Sequence, residues 1–325
     1  MKKLLITIIL LSAGIVHAQT DEKDTLRQLS QNALSAYQNQ KLDEAIKFGQ
    51  QAVDLSLKIF GKNSLDTAVA YTNLGVIYRE KKKFKESIEN LQKAVEVYES
   101  DQSLKNKDQL TAYETLAYSQ VLGGKEAEAE INYLKAIKVA EEKFGKESKE
   151  LFSPTFNLGN FYARNKKFDE ADDFYLKSYA LAIKNFGKEA EQLTEIEDTR
   201  ICLTAGVFSP EREKVFYEGK KKLFGEPIFK QKNSSIDGGV VNGKAKFLEK
   251  PNYPLRAKLE GLGGSIAVRV VIDEQGNITE AKAICGHPIL RKISEEAARK
   301  SNFFPTKLDG KLVSVNGIIV YNYVR

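Results

Sequence analysis

The sequence predicts an all-α solenoid of paired helices, followed by a small α+β domain with a three-stranded antiparallel sheet and one covering helix. Three observations carry that prediction. The middle of the chain repeats itself every 42 residues. The final quarter exchanges helical periodicity for strands of alternating polarity. Between them, over residues 206–237, the repeat is lost and turn-forming residues collect. A length of 325 residues leaves room for two cores, and a 42% hydrophobic share with 29% charged residues is that of a folded chain.

At the N-terminus, Met1-Lys2-Lys3 precede an apolar run from Leu4 to Val16, then His17-Ala18-Gln19. A basic start, a short apolar core and small residues before a cut after Ala18 read as a secretory signal peptide over residues 1–18. The rival reading keeps this segment as a membrane anchor, although a span needs about 20 apolar residues. No Cys follows the run, so nothing here signals lipid attachment.

The solenoid is expected over residues 21–205. Leu42, Phe84, Glu126 and Phe168 share one column of the repeat, Ala45, Ser87, Ala129 and Ala171 the next, and Ala52, Ala94, Ala136 and Ser178 a third. Phe60-Gly61-Lys62, Phe144-Gly145-Lys146 and Phe186-Gly187-Lys188 close three of the units, and the second is degenerate near Gln102. Each unit reads as two helices. Thr67 to Lys81 carries Ala70, Leu74, Ile77 and Tyr78, and after the turn Lys81-Lys82-Lys83, Phe84 to Tyr98 carries Ile88, Leu91, Val95 and Tyr98. Small residues at Gly75, Ala117 and Gly159 allow close approach of the paired helices. One pair cannot bury its apolar face alone; stacked neighbours can. Ala190 to Thr204 reads as a polar capping helix. Within the linker, Glu211 to Leu223 reads as a short basic helix, followed by Gly225, Pro227 and Asn233-Ser234-Ser235.

The last domain is expected over residues 238–325. Val240 to Ala245 suggests a short hairpin or edge strand ahead of Pro251-Asn252-Tyr253-Pro254. Ser265 to Ile272 alternates, with Ile266, Val268, Val270 and Ile272 on one side and Ala267, Arg269 and Val271 on the other. A turn at Gly276-Asn277 leads to a strand over Ile278 to Ile284. The helix from Pro288 to Lys300 turns Leu290, Ile293, Ala297 and Ala298 to the sheet, Phe303 and Phe304 are expected to seal the core, and Leu312 to Val324 gives the third strand.

The solenoid resembles the tetratricopeptide repeat, in the longer form of kinesin light chains. The resemblance rests on Asn73-Leu74-Gly75-Val76-Ile77-Tyr78 and Asn157-Leu158-Gly159-Asn160-Phe161-Tyr162 in first helices, and on Phe84-Lys85-Glu86-Ser87 and Phe168-Asp169-Glu170-Ala171 in second helices. It covers about Asp24 to Gly187, with the first unit departing at Asn32-Ala33. It implies a concave groove that binds an extended peptide or a partner helix. There Asn73 and Asn157 are expected to clamp the peptide backbone, and Arg79 and Arg164 to supply positive charge. The alternative makes these ordinary polar positions on a solvated helix face.

The order strand, strand, helix, strand from Pro251 to Arg325 resembles the C-terminal domain of TonB, the periplasmic protein that carries energy to outer-membrane transporters. The resemblance implies that an extended partner segment, such as the TonB-box segment of an outer-membrane transporter, adds a strand beside the last one. The docking edge is then Ser314 to Val324, including Val315, Ile319, Tyr321 and Tyr323, with Tyr253 and Pro254 nearby. This chain reads Lys250-Pro251-Asn252-Tyr253-Pro254 where TonB has Gln-Pro-Gln-Tyr-Pro, so the first glutamine is lost. The alternative makes the last strand internal to the sheet, or a dimer edge. Full-length TonB also has a long proline-rich spacer, missing from a chain with seven prolines.

Chemistry is not expected. Of two histidines, His17 leaves with the signal peptide and His287 stands before Pro288 at a helix start, as a cap or surface residue would. One histidine builds neither a catalytic triad nor a His-rich metal site. Gly261-Leu262-Gly263-Gly264 precedes a strand and reads as a turn, not a phosphate loop. No catalytic, cofactor-binding or metal-binding residue is therefore assigned, and no cofactor. The net charge of +6 spreads over interleaved Lys and Glu, so nucleic acid is not an expected partner. In an oxidising compartment Cys202 and Cys285 could form a disulfide, but they lie far apart in sequence and in separate expected domains, and are read as two buried or free thiols. Together these features predict an exported adaptor of the periplasm, touching membranes only indirectly. The alternative is a membrane-anchored energy transducer of the TonB type. Its anchor normally carries a polar residue, often His, whereas Leu4 to Val16 has only Thr7 and Ser12.

Overall fold

The computed structural model describes residues 20–100, 107–204, 210–224 and 236–324. The expected signal peptide, the degenerate repeat end at Gln102, and Gly225, Pro227 and Asn233-Ser234-Ser235 of the linker lie outside the described residues. The chain divides into two compact units at Leu158 and Gly159.

The first unit pairs helix α1 (Thr20–Gln38) with α2 (Leu42–Phe60), α3 (Leu65–Glu80) with α4 (Phe84–Ser100), and α5 (Lys107–Leu122) with α6 (Glu126–Phe144). A 3-10 turn, Lys149–Leu151, leads into α7 (Phe152–Arg164), within which the division falls. Packing follows the repeat columns. Ala45, Ser87, Ala129 and Ala171 are fully buried, as are Ala94, Ala136 and Ser178. Ser87 carries its hydroxyl inside because it donates to the Gly75 carbonyl at 2.8 Å, with Ser119 Oγ as a second hydrogen-bond partner at 3.0 Å. At Gly75 a Cβ would stand 2.6 Å from Leu91 Cγ, so the small residue sets the distance between α3 and α4.

Each helix pair is joined by the same turn. Gln40, Lys82, Gly124 and Lys166, again 42 apart, adopt left-handed φ values of 61°, 62°, 73° and 60°. The residue after each donates its N–H five residues back: Lys41 to Ala36, Lys83 to Tyr78, Lys125 to Gln120 and Lys167 to Tyr162, at 2.8–2.9 Å. This closes the C-terminus of each first helix in a Schellman motif. The glycines that end α2 and α6, Gly61 and Gly145, combine φ of 78° and 93° with extended ψ of 176° and 157°, a region essentially confined to glycine.

The second unit continues with α8 (Phe168–Phe186), α9 (Glu191–Thr204) and α10 (Pro210–Phe224), then the sheet domain. That domain runs β1 (Ile236–Val240), β2 (Ala245–Phe247), a short helix α11 (Leu255–Leu259), β3 (Gly264–Ile272), β4 (Ile278–Ala283), α12 (Pro288–Lys300), β5 (Asn302–Phe303), β6 (Thr306–Leu308), β7 (Lys311–Val313) and β8 (Val315–Tyr323). The antiparallel trio β8-β3-β4 is the expected one, and β1 adds a fourth strand, parallel to β8, in the order β1-β8-β3-β4. The segment after Val240 is not a hairpin with β1; β2 pairs instead with β5.

Alternation along β3 sorts two faces, as the sequence predicts. Ile266, Val268, Val270 and Ile272 form the core with Leu290, Ala297 and Ala298 of α12. His287 caps α12 by accepting the Ile289 N–H. Phe303 is buried in that core, but Phe304 is 64% exposed: adjacent residues of an extended segment point to opposite sides, so only one of the two can seal it. The second face is not left to solvent. Ala267, Ile318 and Val320 meet Ile201 of α9, and Arg269 reaches Glu197 and Asp198 of the same helix.

Candidate binding surfaces

In the first unit, the residues expected in the groove are brought into polar contacts within the chain. Asn157 donates from Nδ2 to Glu114 Oε1 at 2.8 Å, and Ser153 Oγ donates to the same oxygen at 2.7 Å. Burial pushes the Glu114 carboxyl above its ordinary pKa, against the pull of those two hydrogen bonds. Arg79 is only 5% exposed; its guanidinium lies 5.1 Å from the Tyr118 ring centre and pairs with Glu80 at 3.2 Å. Burial, then the Glu80 charge, raise the Tyr37 pKa while Arg79 lowers it, which places Tyr37 beside that pair. Arg79 of α3 and Tyr118 of α5 thus stack across two first helices, with Tyr37 of α1 within reach of the Arg79 and Glu80 charges. Asn73 is half-buried, and Arg164, in the second unit, is exposed. Of the four expected residues, Arg79 departs most from a solvated position. Nothing in the repeat pattern marks Glu114, which occupies a column filled by Thr72 one repeat earlier.

In the sheet domain, Tyr253 and Tyr323 meet edge to face, with ring centres 5.1 Å apart, and Tyr253 donates its hydroxyl hydrogen to the Leu262 carbonyl. Pro254 precedes the first residue of α11. Tyr323 and Ser294 share a hydrogen bond of 2.8 Å. Val315, Ile319, Tyr321 and Tyr323 all point into the core, at most 6% exposed. What β8 can offer a partner is therefore main chain rather than these side chains.

That main chain is partly occupied, the arrangement of the alternative in which the last strand is internal to the sheet. β1 pairs with β8 over Val315 to Ile318, and the Val241 N–H donates to the Ile318 carbonyl at 2.9 Å. Next, the Asn242 side chain imitates one more strand residue, accepting from the Val320 N–H at 2.8 Å and donating to the Val320 carbonyl at 2.7 Å. Beyond Val320 the strand runs on to Tyr323 with β3 alone pairing beside it. Across the sheet, the free edge of β4 is answered by α12: Glu295 accepts the Ala283 N–H, while Arg291 and Arg299 donate to the carbonyls of Ala283 and Ala281. β1 itself is weakly built. It holds two glycines and a register shift between Asp237 and Gly239, and Gly238 to Val240 border a cavity of about 270 Å³ shared with α9 and α10.

Sequence reasoning missed an ionic network in the second unit. Arg200, 3% exposed, holds Asp172 through two bonds of 2.6 and 2.9 Å and both oxygens of Glu213 at 2.9 and 3.0 Å, with Phe216 stacked 3.8 Å away. Lys220 reaches Glu197 at 2.8 Å. Burial pushes the Glu197 carboxyl up, but Lys220, together with the Tyr179 hydroxyl and Arg269, offsets it and holds the group below the ordinary range. The network ties α8, α9 and α10 together. Its signal was the polarity of α9 and α10, helices with little apolar stripe that still had to pack.

Among the described residues no group of His, Cys, Asp and Glu could hold a metal ion, and no helix is long and apolar enough to cross a membrane.

Comparison with known proteins finds the repeats and the sheet domain separately. Residues 24–100 and 157–190 match family models of the tetratricopeptide repeat, and residues 249–324 match that of the Gram-negative bacterial TonB protein C-terminal region. No curated protein matches the chain. Among solved structures, the kinesin light chain TPR-like repeats of Podosopora anserina align with a TM-score of 0.51 at 16% identity, covering 61% of this chain and 94% of that one. The apo form of RapI aligns with a TM-score of 0.50 at 13% identity, covering 62% and 70%. At these identities the likeness speaks for the helical fold alone.

Proposed function

Starting from a chain that joins tetratricopeptide repeats to a TonB-type C-terminal domain, we propose that it is a non-enzymatic adaptor of the Gram-negative cell envelope, at work in the periplasm. One partner, an extended peptide or a helix, lies along the first helices near Tyr37, Asn73, Arg79, Tyr118 and Asn157. A second, an extended segment of the TonB-box kind from an outer-membrane transporter, pairs with the main chain of β8 in the place β1 now holds. The observation that carries this reading is β1 itself. A short, glycine-rich, bulged strand on the outer edge of β8 is a weak occupant of an edge able to accept a strand.

The test is binding of a fluorescent TonB-box peptide to the full chain and to Gly239→Pro. Proline cannot adopt the φ of +59° at this position, so the variant unseats β1. About tenfold tighter binding to the variant than to the parent chain is expected. Absence of binding to both, with the variant's circular dichroism unchanged, rejects the docking role.

A further inference from the structure

We propose that Cys202 and Cys285 are a disulfide-forming pair that fastens helix α9 to the sheet of the C-terminal domain. The expectation of two independent thiols rested on separate cores, and the structure removes that premise. Cys202 lies in the last turn of α9, and Cys285 follows β4 in the cluster where Ile201, Ala267, Ile318 and Val320 meet. Both are free and partly exposed, and their thiols are hydrogen-bonded to each other.

Each partner is held in place by contacts that do not involve sulfur. On the helix side, Glu197 and Asp198 bind Arg269 of β3, while Arg200 is gripped by Asp172. On the sheet side, the Ile284 N–H donates to the Ala267 carbonyl at 3.0 Å. Gly286 turns the chain at φ +97°, where a Cβ would lie 2.0 Å from Ile266 Cδ1, so the bend just after Cys285 has one geometry. The two sulfurs therefore meet across surfaces that are already docked.

The local electrostatics divide the roles. The hydrogen bond from Cys202 lowers the Cys285 thiol, burial opposing it, with Arg291 favouring and Asp198 disfavouring the thiolate. The same hydrogen bond and burial push Cys202 up, so it keeps its proton longer. Oxidation of the pair takes an oxidant of the disulfide class, with Cys285 taken as the attacking sulfur. Its thiolate attacks one oxidant sulfur; a mixed disulfide forms and the other oxidant sulfur leaves as a thiolate, which takes up a proton. Cys202 then gives its proton to solvent and attacks Cys285 Sγ, expelling the second oxidant sulfur. Two protein thiols become one disulfide, the oxidant's disulfide becomes two thiols, and two electrons pass to the oxidant.

The test exposes the full chain to oxidised and reduced glutathione in varied ratio, then blocks free thiols and maps linked peptides by mass spectrometry without reduction. The expected product is a monomer with one Cys202–Cys285 cross-link and a melting temperature raised by about 5–10 °C, reversed by dithiothreitol. Two thiols that stay open to alkylation, mixed disulfides with glutathione only, or cross-linked dimers overturn the proposal. Because all of these are read on the unaltered sequence, no variant has to fold for the test to decide.

Discussion

Glu114 shows how one residue can carry an energetic cost that the repeat pattern hides. Its carboxylate is desolvated and receives two neutral donors, Ser153 and Asn157, with no cation among its hydrogen-bond partners. The folded pKa is raised, so folding favours the protonated form. That contribution is complete below the ordinary carboxylate range and is lost as pH rises through the raised value. At neutral pH the ionised group therefore weakens the fold. Glu114→Gln keeps an acceptor for both donors and removes the charge. It should melt higher than the parent at neutral pH, and the gap should close in mild acid; thermal melts across that range check it. An equal gap at every pH would mean that the carboxyl is not the cause. The same weighing of charge against burial explains why Arg200 tolerates 3% exposure, since two carboxylates hold all of its reach.

At the scale of elements, the inter-helix turn is the most regular feature of the chain and among the least visible in its letters. The left-handed position is Gln40, Lys82, Gly124 and Lys166, and only one of the four is glycine. A non-glycine residue costs about 1–2 kcal/mol there. Lys82→Gly should accordingly stabilise the first unit by about 0.5–1 kcal/mol once the extra entropy of an unfolded glycine is counted. A shift of the urea midpoint at constant m-value would record it, and a lower midpoint would mean that Lys82 makes a contact worth more than the strain. The helices were legible because Ala45, Ser87, Ala129 and Ala171 mark a column where only small residues fit. β3 and α12 were legible because their polarity alternates with the right period. β1 was not. Ile236 to Val240 is five residues with two glycines and no alternation, and its partner lies at the far end of the chain. The candidate site was legible only in outline: a docking edge at β8 and a β8 internal to the sheet were both open readings, and nothing in the letters showed that β1 and Asn242 would lie beside it.

Over the whole molecule, family resemblance and physical continuity divide the chain at different places. The TonB-type match begins at residue 249, whereas the compact unit containing it begins at Gly159. The reason is α9, which ends the repeats and also roofs the second face of the sheet through Ile201 and the Arg269 ion pairs. A fragment of residues 236–325 should therefore melt several degrees below one of residues 190–325 and bind more of an apolar dye, because it bares Ala267 and Ile318. Equal melting points would show that the roof adds nothing. Anyone moving this C-terminal domain between proteins inherits a consequence. The transplantable piece is larger than its family signature, and a graft cut at the signature carries an exposed apolar sheet face that its new host must cover.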